Sequence, residues 1–143
     1  MLDKLQTKKT VLLLRGASGS GKSTLADLLA SNEGWVSVCA DYYFEDAAGN
    51  YNFDASKLGE AHRRCQENFV YWLNHTNVDC IIVANTNTKE KDFAFYEKAA
   101  KEYGAMFVSL IVENRHGNTD VHQVPSFAKE HQAMNIMNSI KLV

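Results

Sequence analysis

The sequence predicts an α/β domain, a three-layer sandwich around a central parallel sheet of four to five strands. Two observations carry this reading. Short apolar runs without polar alternation, such as TVLLLRG at 10–16 and DCIIVAN at 79–85, have the form of strands covered on both faces. Segments with apolar residues at three- and four-residue spacing separate those runs, so strand and helix alternate and successive strands run in the same direction. The 143 residues suit a single domain spanning 1–143.

Each element follows from its local pattern. After the first strand, residues 22–30 place Leu25, Leu28 and Leu29 on one helix face, and Gly34 closes that segment before WVSVCAD at 35–41, a second strand. EDAAGNYNFD at 45–54 is rich in turn residues and reads as a surface loop, with Asp54 as an N-cap. Leu58, Ala61, His62, Cys65, Phe69, Trp72 and Leu73 then form an apolar stripe on a long helix, with His62 expected as a hydrogen-bonded core residue. Arg63, Arg64 and Glu67 fall off that stripe, on a solvated face. The third strand, DCIIVAN, leads to a helix over 88–104 stopped by Gly104, and AMFVSLIV at 105–112 is a fourth strand. Residues 113–125 are polar and irregular, 126–138 form a last helix, and SIKLV at the end predicts a short edge strand.

Composition excludes several classes of function. A net charge of −2 argues against a sequence-independent nucleic-acid coat. Cys39, Cys65 and Cys80 are odd in number and widely spaced, which predicts buried reduced thiols and no disulfide framework. His62, His75, His116, His122 and His131 show neither H-E-x-x-H nor a Cys/His cluster, so zinc is not expected. No apolar run approaches a bilayer span, and the early one ends after four residues at Arg15, too short for a secretory core; the expectation is a cytoplasmic protein with no membrane partner.

GASGSGKS at 16–23 matches the Walker A pattern G-x-x-x-x-G-K-[ST], and its context is right, with a buried strand before it and a helix after it. Glycines allow the backbone to approach a phosphate chain so that successive N–H groups converge on its oxygens, and the following helix N-terminus adds partial positive charge. The nucleotide-binding set is therefore Gly16, Ala17, Ser18, Gly19, Ser20, Gly21, Lys22, Ser23 and Thr24. Lys22 is expected at the β and γ phosphates, and Ser23 as the Mg²⁺ ligand. Asp41, at the end of the second strand, is suited to accept a proton from an attacking hydroxyl, to hold Mg²⁺ through water, or to start a turn.

Together GASGSGKST, ADYYF, GNYNFD, EAHRRCQ, VANTNT and ENRHGNTDVHQVP resemble the small P-loop kinases related to the kinase domain of phage polynucleotide kinase, including short kinase-like proteins of phages and the Nedd-binding-protein-like group of animals. The resemblance implies a P-loop kinase-like fold, ATP and Mg²⁺ as cofactors, and transfer of the γ-phosphoryl group to a hydroxyl of a nucleoside, nucleotide or nucleic-acid end. It implies Asp41 as general base and a mobile lid around Arg115, flanked by His116 and His122, with Gly117 permitting movement and Pro125 restricting the exit. An arginine in a lid stabilises the charge spread over the transferring oxygens.

Two departures from the family stand out. Tyr42 follows the aspartate region where phage polynucleotide kinase has an acceptor-gripping arginine, and Ala84 and Asn85 stand where relatives often carry a Walker B acid. Asn85, Thr86 and Asn87 are suited to bind an acceptor, to position Asp41 or to cap the next helix. Tyr42, Tyr43, Phe44, Tyr51 and Phe53 are divided between packing the core and stacking an acceptor base. The alternative function is a P-loop regulatory module with little kinase chemistry.

Overall fold

A computed structural model of the chain describes residues 8–116 and 123–142. Its centre is β1 (Thr10–Arg15), whose unbroken apolar run is explained by burial on both faces. Val11 and Leu13 enter one core, while Leu12 and Leu14 enter the other. Around it, β2 (Trp35–Val38), β3 (Cys80–Val83) and β4 (Met106–Ile111) complete a four-stranded, all-parallel sheet in the order β2-β3-β1-β4. Leu13 pairs with Val83 on one side and with Ser109 on the other.

Helix α1 (Lys22–Ala30) covers one face, packing Ala26, Leu25 and Leu29 against Leu12, Leu14 and Ile82. Helices α2 (Leu58–Leu73) and α3 (Glu90–Tyr103) cover the other, where Ala61, Cys65, Phe69 and Leu73 meet Phe93, Tyr96 and Ala100. These are the three expected layers. A fourth helix, α4 (Ser126–Asn138), reaches the loop after β1. The connection from β1 leads to β2 and that from β3 leads to β4, on opposite sides, so a crevice opens where the carboxyl ends of β1 and β3 adjoin.

Several local expectations are corrected. Leu28 is 67% exposed, because the buried α1 face follows Lys22 and Ala26 instead. That helix ends at Ser31, before Gly34, which occupies a left-handed turn (φ 79°) where a Cβ would lie 2.7 Å from Asp79 Oδ2. The buried α2 stripe narrows to Ala61, Cys65, Phe69 and Leu73, leaving Leu58 and His62 exposed; His62 is not a core residue. The second strand stops at Val38, and Ala40–Phe44 turn as a 3₁₀ helix. Ile140, Lys141 and Leu142 form no strand, so the sheet has four strands among the described residues. As an edge strand β4 leaves Met106, Leu110 and Ile111 exposed. Gly104 does stop α3 in a left-handed C-cap (φ 81°), and Asp54 caps the short 3₁₀ turn Ala55–Lys57 that precedes α2.

Candidate phosphate-binding and phosphoryl-transfer site

The glycine loop leaves β1 at the crevice. Its path is fixed by Gly16 N–H donating to Thr86 O (3.1 Å) and Ser20 N–H donating to Ala17 O (3.0 Å), with Gly19 (φ 81°) and Gly21 (φ 100°) in left-handed conformations. Gly16 has no room for a side chain, since a Cβ would lie 2.7 Å from Val112 O and press on Ser20. Helix α1 starts at Gly21 with no side-chain cap and no acidic residue in its first turn, and Ser23 and Thr24 are exposed there. A helix start of this kind, with no acidic side chain over it, suits an anionic ligand.

Lys22 is only 7% exposed and folds over the loop, Nζ donating to Ala17 O at 3.0 Å. Ser20 Oγ is buried with no hydrogen-bond partner among the described residues, an orphaned hydroxyl inside the cradle. These features fit a polyphosphate. The loop also has an anchor from α4: Gln132 Oε1 accepts from Ser18 N–H at 2.8 Å.

Asp41 is the second residue of the 3₁₀ segment after β2 and is half-buried. Two strand spacings, about 10 Å, separate the line of β2 from that of β1, so the end of β3 lies between the aspartate and the loop. Burial first, then the Asp41 carboxylate, push the Cys39 thiol up to about 12, while the Lys22 ammonium acts in the opposite direction, so both charges lie within electrostatic reach of Cys39. Tyr51 donates to Asp41 Oδ1 at 3.2 Å, and burial followed by that carboxylate pushes its hydroxyl up to about 12, keeping it a donor.

The end of β3 divides the roles foreseen for its polar residues. Asn85 Oδ1 accepts from Ala40 N–H at 2.8 Å, pinning the backbone beside Asp41. Asn87, at φ 50°, donates from Nδ2 to Leu14 O and Asn85 O, both at 2.9 Å. Capping of α3 falls to Asp92, which accepts from Lys89 N–H and Thr88 Oγ1.

Arg115 stands apart. It is 85% exposed and paired with Glu113, whose carboxylate raises its pKa, and no described contact joins it to the glycine loop. His116 does approach, its Nε2 standing 3.2 Å from the position a Gly21 Cβ would take. Gly117 and His122 lie outside the described residues. Of the aromatic stretch, Phe44 is buried and meets Tyr43, Tyr51 and Phe53 at centroid distances of 5.3, 6.2 and 5.1 Å, while Phe53 stays half-exposed. The rings pack chiefly on one another.

The sequence reading missed Arg15. This guanidinium is 4% exposed, donates to Asn87 O (2.8 Å) and Thr88 O (3.2 Å), and lies 4.6 Å from the Phe93 ring centre; burial lowers its pKa. A charge at the end of a doubly buried strand, one residue before the glycines, was the available signal. Gln132 offered none, because its contact joins residues far apart in sequence.

Residues 11–118 match the AAA domain family. The chain belongs to that family. It is 36% identical to human NEDD4-binding protein 2 over 98 residues, 65% of this chain, and spans 5% of that protein's length. A chain of the Pnkp1/Rnl/Hen1 RNA repair complex superposes with a TM-score of 0.70 at 20% identity, covering 96% of this chain and 47% of that one. A mutant of the Mycobacterium tuberculosis APS kinase CysC gives 0.53 at 17% identity, covering 92% and 96%. The same kinase in complex with AMPPNP and APS gives 0.51 at 19% identity, covering 74% and 63%. The fold of this AAA-family chain is that of the P-loop kinases. No helix among its described residues is long and apolar enough to cross a membrane.

Proposed function

We propose that this protein is an ATP- and Mg²⁺-dependent phosphotransferase that moves a γ-phosphoryl group to a hydroxyl of a nucleoside, nucleotide or nucleic-acid end. The observation that supports the reading is topological: Lys22 follows β1 and Asp41 follows β2 in an all-parallel sheet, so a phosphate-binding cation and a proton-accepting carboxylate both lie beyond the carboxyl ends of its strands. The solved APS kinase complex with AMPPNP supports a nucleotide in a fold of this kind.

The residues divide the work. Amides of Gly19 and of Gly21 to Ser23 and the Lys22 ammonium hold the triphosphate, with Lys22 exchanging Ala17 O for phosphate oxygens. Ser23 Oγ would hold Mg²⁺ together with the phosphates, and the ion when bound supplies neutralisation of their charge. Asp41, oriented by Tyr51, takes the acceptor's hydroxyl proton. The hydroxyl oxygen bonds to the γ-phosphorus as the bond to the bridging oxygen breaks, and ADP leaves with that electron pair. Arg115 is the lid residue of this proposal, acting after release from Glu113.

The alternative, a nucleotide-binding regulatory module, draws on Asn85, an amide engaged by Ala40 N–H at the family's usual acid position. Incubation with γ-labelled ATP, Mg²⁺ and a panel of hydroxyl acceptors decides between them. The kinase reading expects label on an acceptor; label on none, with MgATP binding intact by calorimetry, leaves the regulatory module.

A further inference from the structure

Beside the phosphate loop lies a second concavity whose lining has a chemical bias. It is a cavity of about 320 Å³ formed by His62 and Gln66 of α2, Asn85, Thr86 and Asn87 after β3, and Asp92 of α3. Its floor is continuous with the site already described. Asn85 is the residue that pins Ala40 beside Asp41, and Thr86 O receives the Gly16 amide at the start of the loop. The cavity thus shares Asn85 and Thr86 with the supports of the Asp41 segment and of the glycine loop.

The lining has no lysine or arginine. The nearby Arg15 guanidinium is engaged with the Asn87 and Thr88 carbonyls, and Arg63 with Glu60 and Glu67. Asp92 adds a negative charge. Asn87 is 1% exposed, with its amide group donating to two backbone carbonyls, so it holds the backbone under the cavity and its oxygen lies below the cavity surface. The acceptors within a ligand's reach are the half-buried Gln66 and the exposed Asp92, which suit a ligand with N–H and O–H donors. A phosphate dianion offers only acceptors and meets a carboxylate.

We infer that this cavity seats an uncharged nucleoside, whose base edge and sugar hydroxyls supply donors to Asp92 and Gln66 while the hydroxyl to be phosphorylated faces Asp41. The inference rests on the phosphotransferase reading and narrows it, setting nucleosides against nucleotides and nucleic-acid ends that carry a phosphate beside the acceptor sugar. Tyr42, Tyr43 and Phe44, the three residues after Asp41, likewise offer no cation for such a phosphate. The volume lies within the range of small-ligand pockets.

The test compares acceptors that share one 5′-hydroxyl. The full protein is given γ-labelled ATP, Mg²⁺ and either the eight common ribo- and deoxyribonucleosides or their 3′-monophosphates. The expected result is transfer to at least one nucleoside with a KM about tenfold or more below that of its 3′-monophosphate. Gln66→Lys, on a half-buried helix position that tolerates a long side chain, should raise the nucleoside KM and narrow or reverse that ratio, with MgATP affinity unchanged by calorimetry. Transfer to the 3′-monophosphates with equal or lower KM, or a ratio untouched by Gln66→Lys, overturns the nucleoside assignment and leaves the phosphotransferase standing. Transfer to neither series, nor to 5′-hydroxyl DNA and RNA run alongside, removes both.

Discussion

Tyr51 donates its phenolic hydrogen to Asp41 Oδ1 across 3.2 Å, joining a surface loop to the carboxylate in the turn beyond β2. Ten residues separate the two in sequence, and the loop between them is shaped to close that distance. Asp46 Oδ1 accepts from Ala48 and Asn50 N–H, Gly49 takes φ 82°, and Glu45 bridges to Tyr51. Tyr51→Phe removes the donor and keeps the ring packed near Phe44. Loss of one hydrogen bond to a charged group corresponds to about 1.5–3 kcal/mol, so kcat should fall roughly ten- to hundredfold. MgATP affinity should stay at the wild-type value. Unchanged turnover would show that Asp41 needs no orienting partner.

A second prediction concerns alkaline stability. Burial is the leading cause that pushes the Cys39 thiol up to about 12 and the Cys80 thiol up to about 11. In the unfolded chain both ionise near pH ~8.5. Above that pH the unfolded state binds fewer protons than the folded one, so stability is full below it and declines as pH rises toward the folded values. The slope is about 1.4 kcal/mol per pH unit for each thiol. Denaturant titrations at pH 8 and pH 10 measure it, and Cys39→Ala should flatten the decline. An equal decline in the variant would mean that Cys39 ionises as readily in the fold as outside it.

The strand, glycine loop and helix over 10–30 were legible because each depends on near neighbours in sequence: an apolar run, glycines, then a capless helix start. The surroundings of Asp41 were legible only in part, because the β-rich run that it ends stops as a strand at Val38 and the aspartate lies in the 3₁₀ turn beyond. Tyr51 was legible only as one aromatic of several, because its role depends on how the Asp46 turn folds the loop back. His62 and Leu28 were misplaced because helical periodicity fixes a face but not its width, and in each helix the buried ridge is narrower than the apolar pattern. Strand order has no local signature, so the position of β4 at the edge, with Leu110 and Ile111 exposed, could not be read from AMFVSLIV. Arg15 reads locally as a charge that ends a strand; its partners at Asn87, Thr88 and Ser139 are brought to it by the fold.

Lys22→Ala tests the phosphate loop. The side chain bonds to Ala17 O within the loop, so its loss should leave the fold intact while removing the ammonium that meets the phosphates. A charged hydrogen bond of about 1.5–3 kcal/mol predicts roughly ten- to hundredfold weaker MgATP binding. MgATP should raise the melting temperature of the wild-type protein and much less that of the variant. Equal shifts would remove Lys22 from the nucleotide site.

Arg115 is paired with Glu113 on the exposed surface, so any part it has in transfer requires exchange of that partner for the nucleotide. A planar guanidinium fork grips transferring oxygens in a way that an ammonium does not. Arg115→Lys should accordingly lower kcat by about tenfold or more with little change in MgATP affinity. Glu113→Gln, which frees the guanidinium, should not lower kcat. Full activity in Arg115→Lys would confine this residue to its surface ion pair.

Asp41→Asn separates three roles for the carboxylate. A general base acts on the acceptor hydroxyl, a group absent when MgATP alone is bound, so the variant should bind MgATP normally and lose transfer by about 10²–10⁴-fold. The amide keeps the size of the carboxylate and can still accept from Tyr51, so the 3₁₀ segment and its anchor from Asn85 should persist. If Asp41 holds Mg²⁺ through water, the same change weakens MgATP binding and raises the Mg²⁺ concentration needed, because a neutral amide oxygen attracts a hard cation less than a carboxylate. A regulatory module gives neither pattern, and its wild-type form labels no acceptor. Calorimetry of MgATP binding beside the labelled-acceptor assay distinguishes the three, and retention of wild-type transfer in Asp41→Asn would end the general-base assignment.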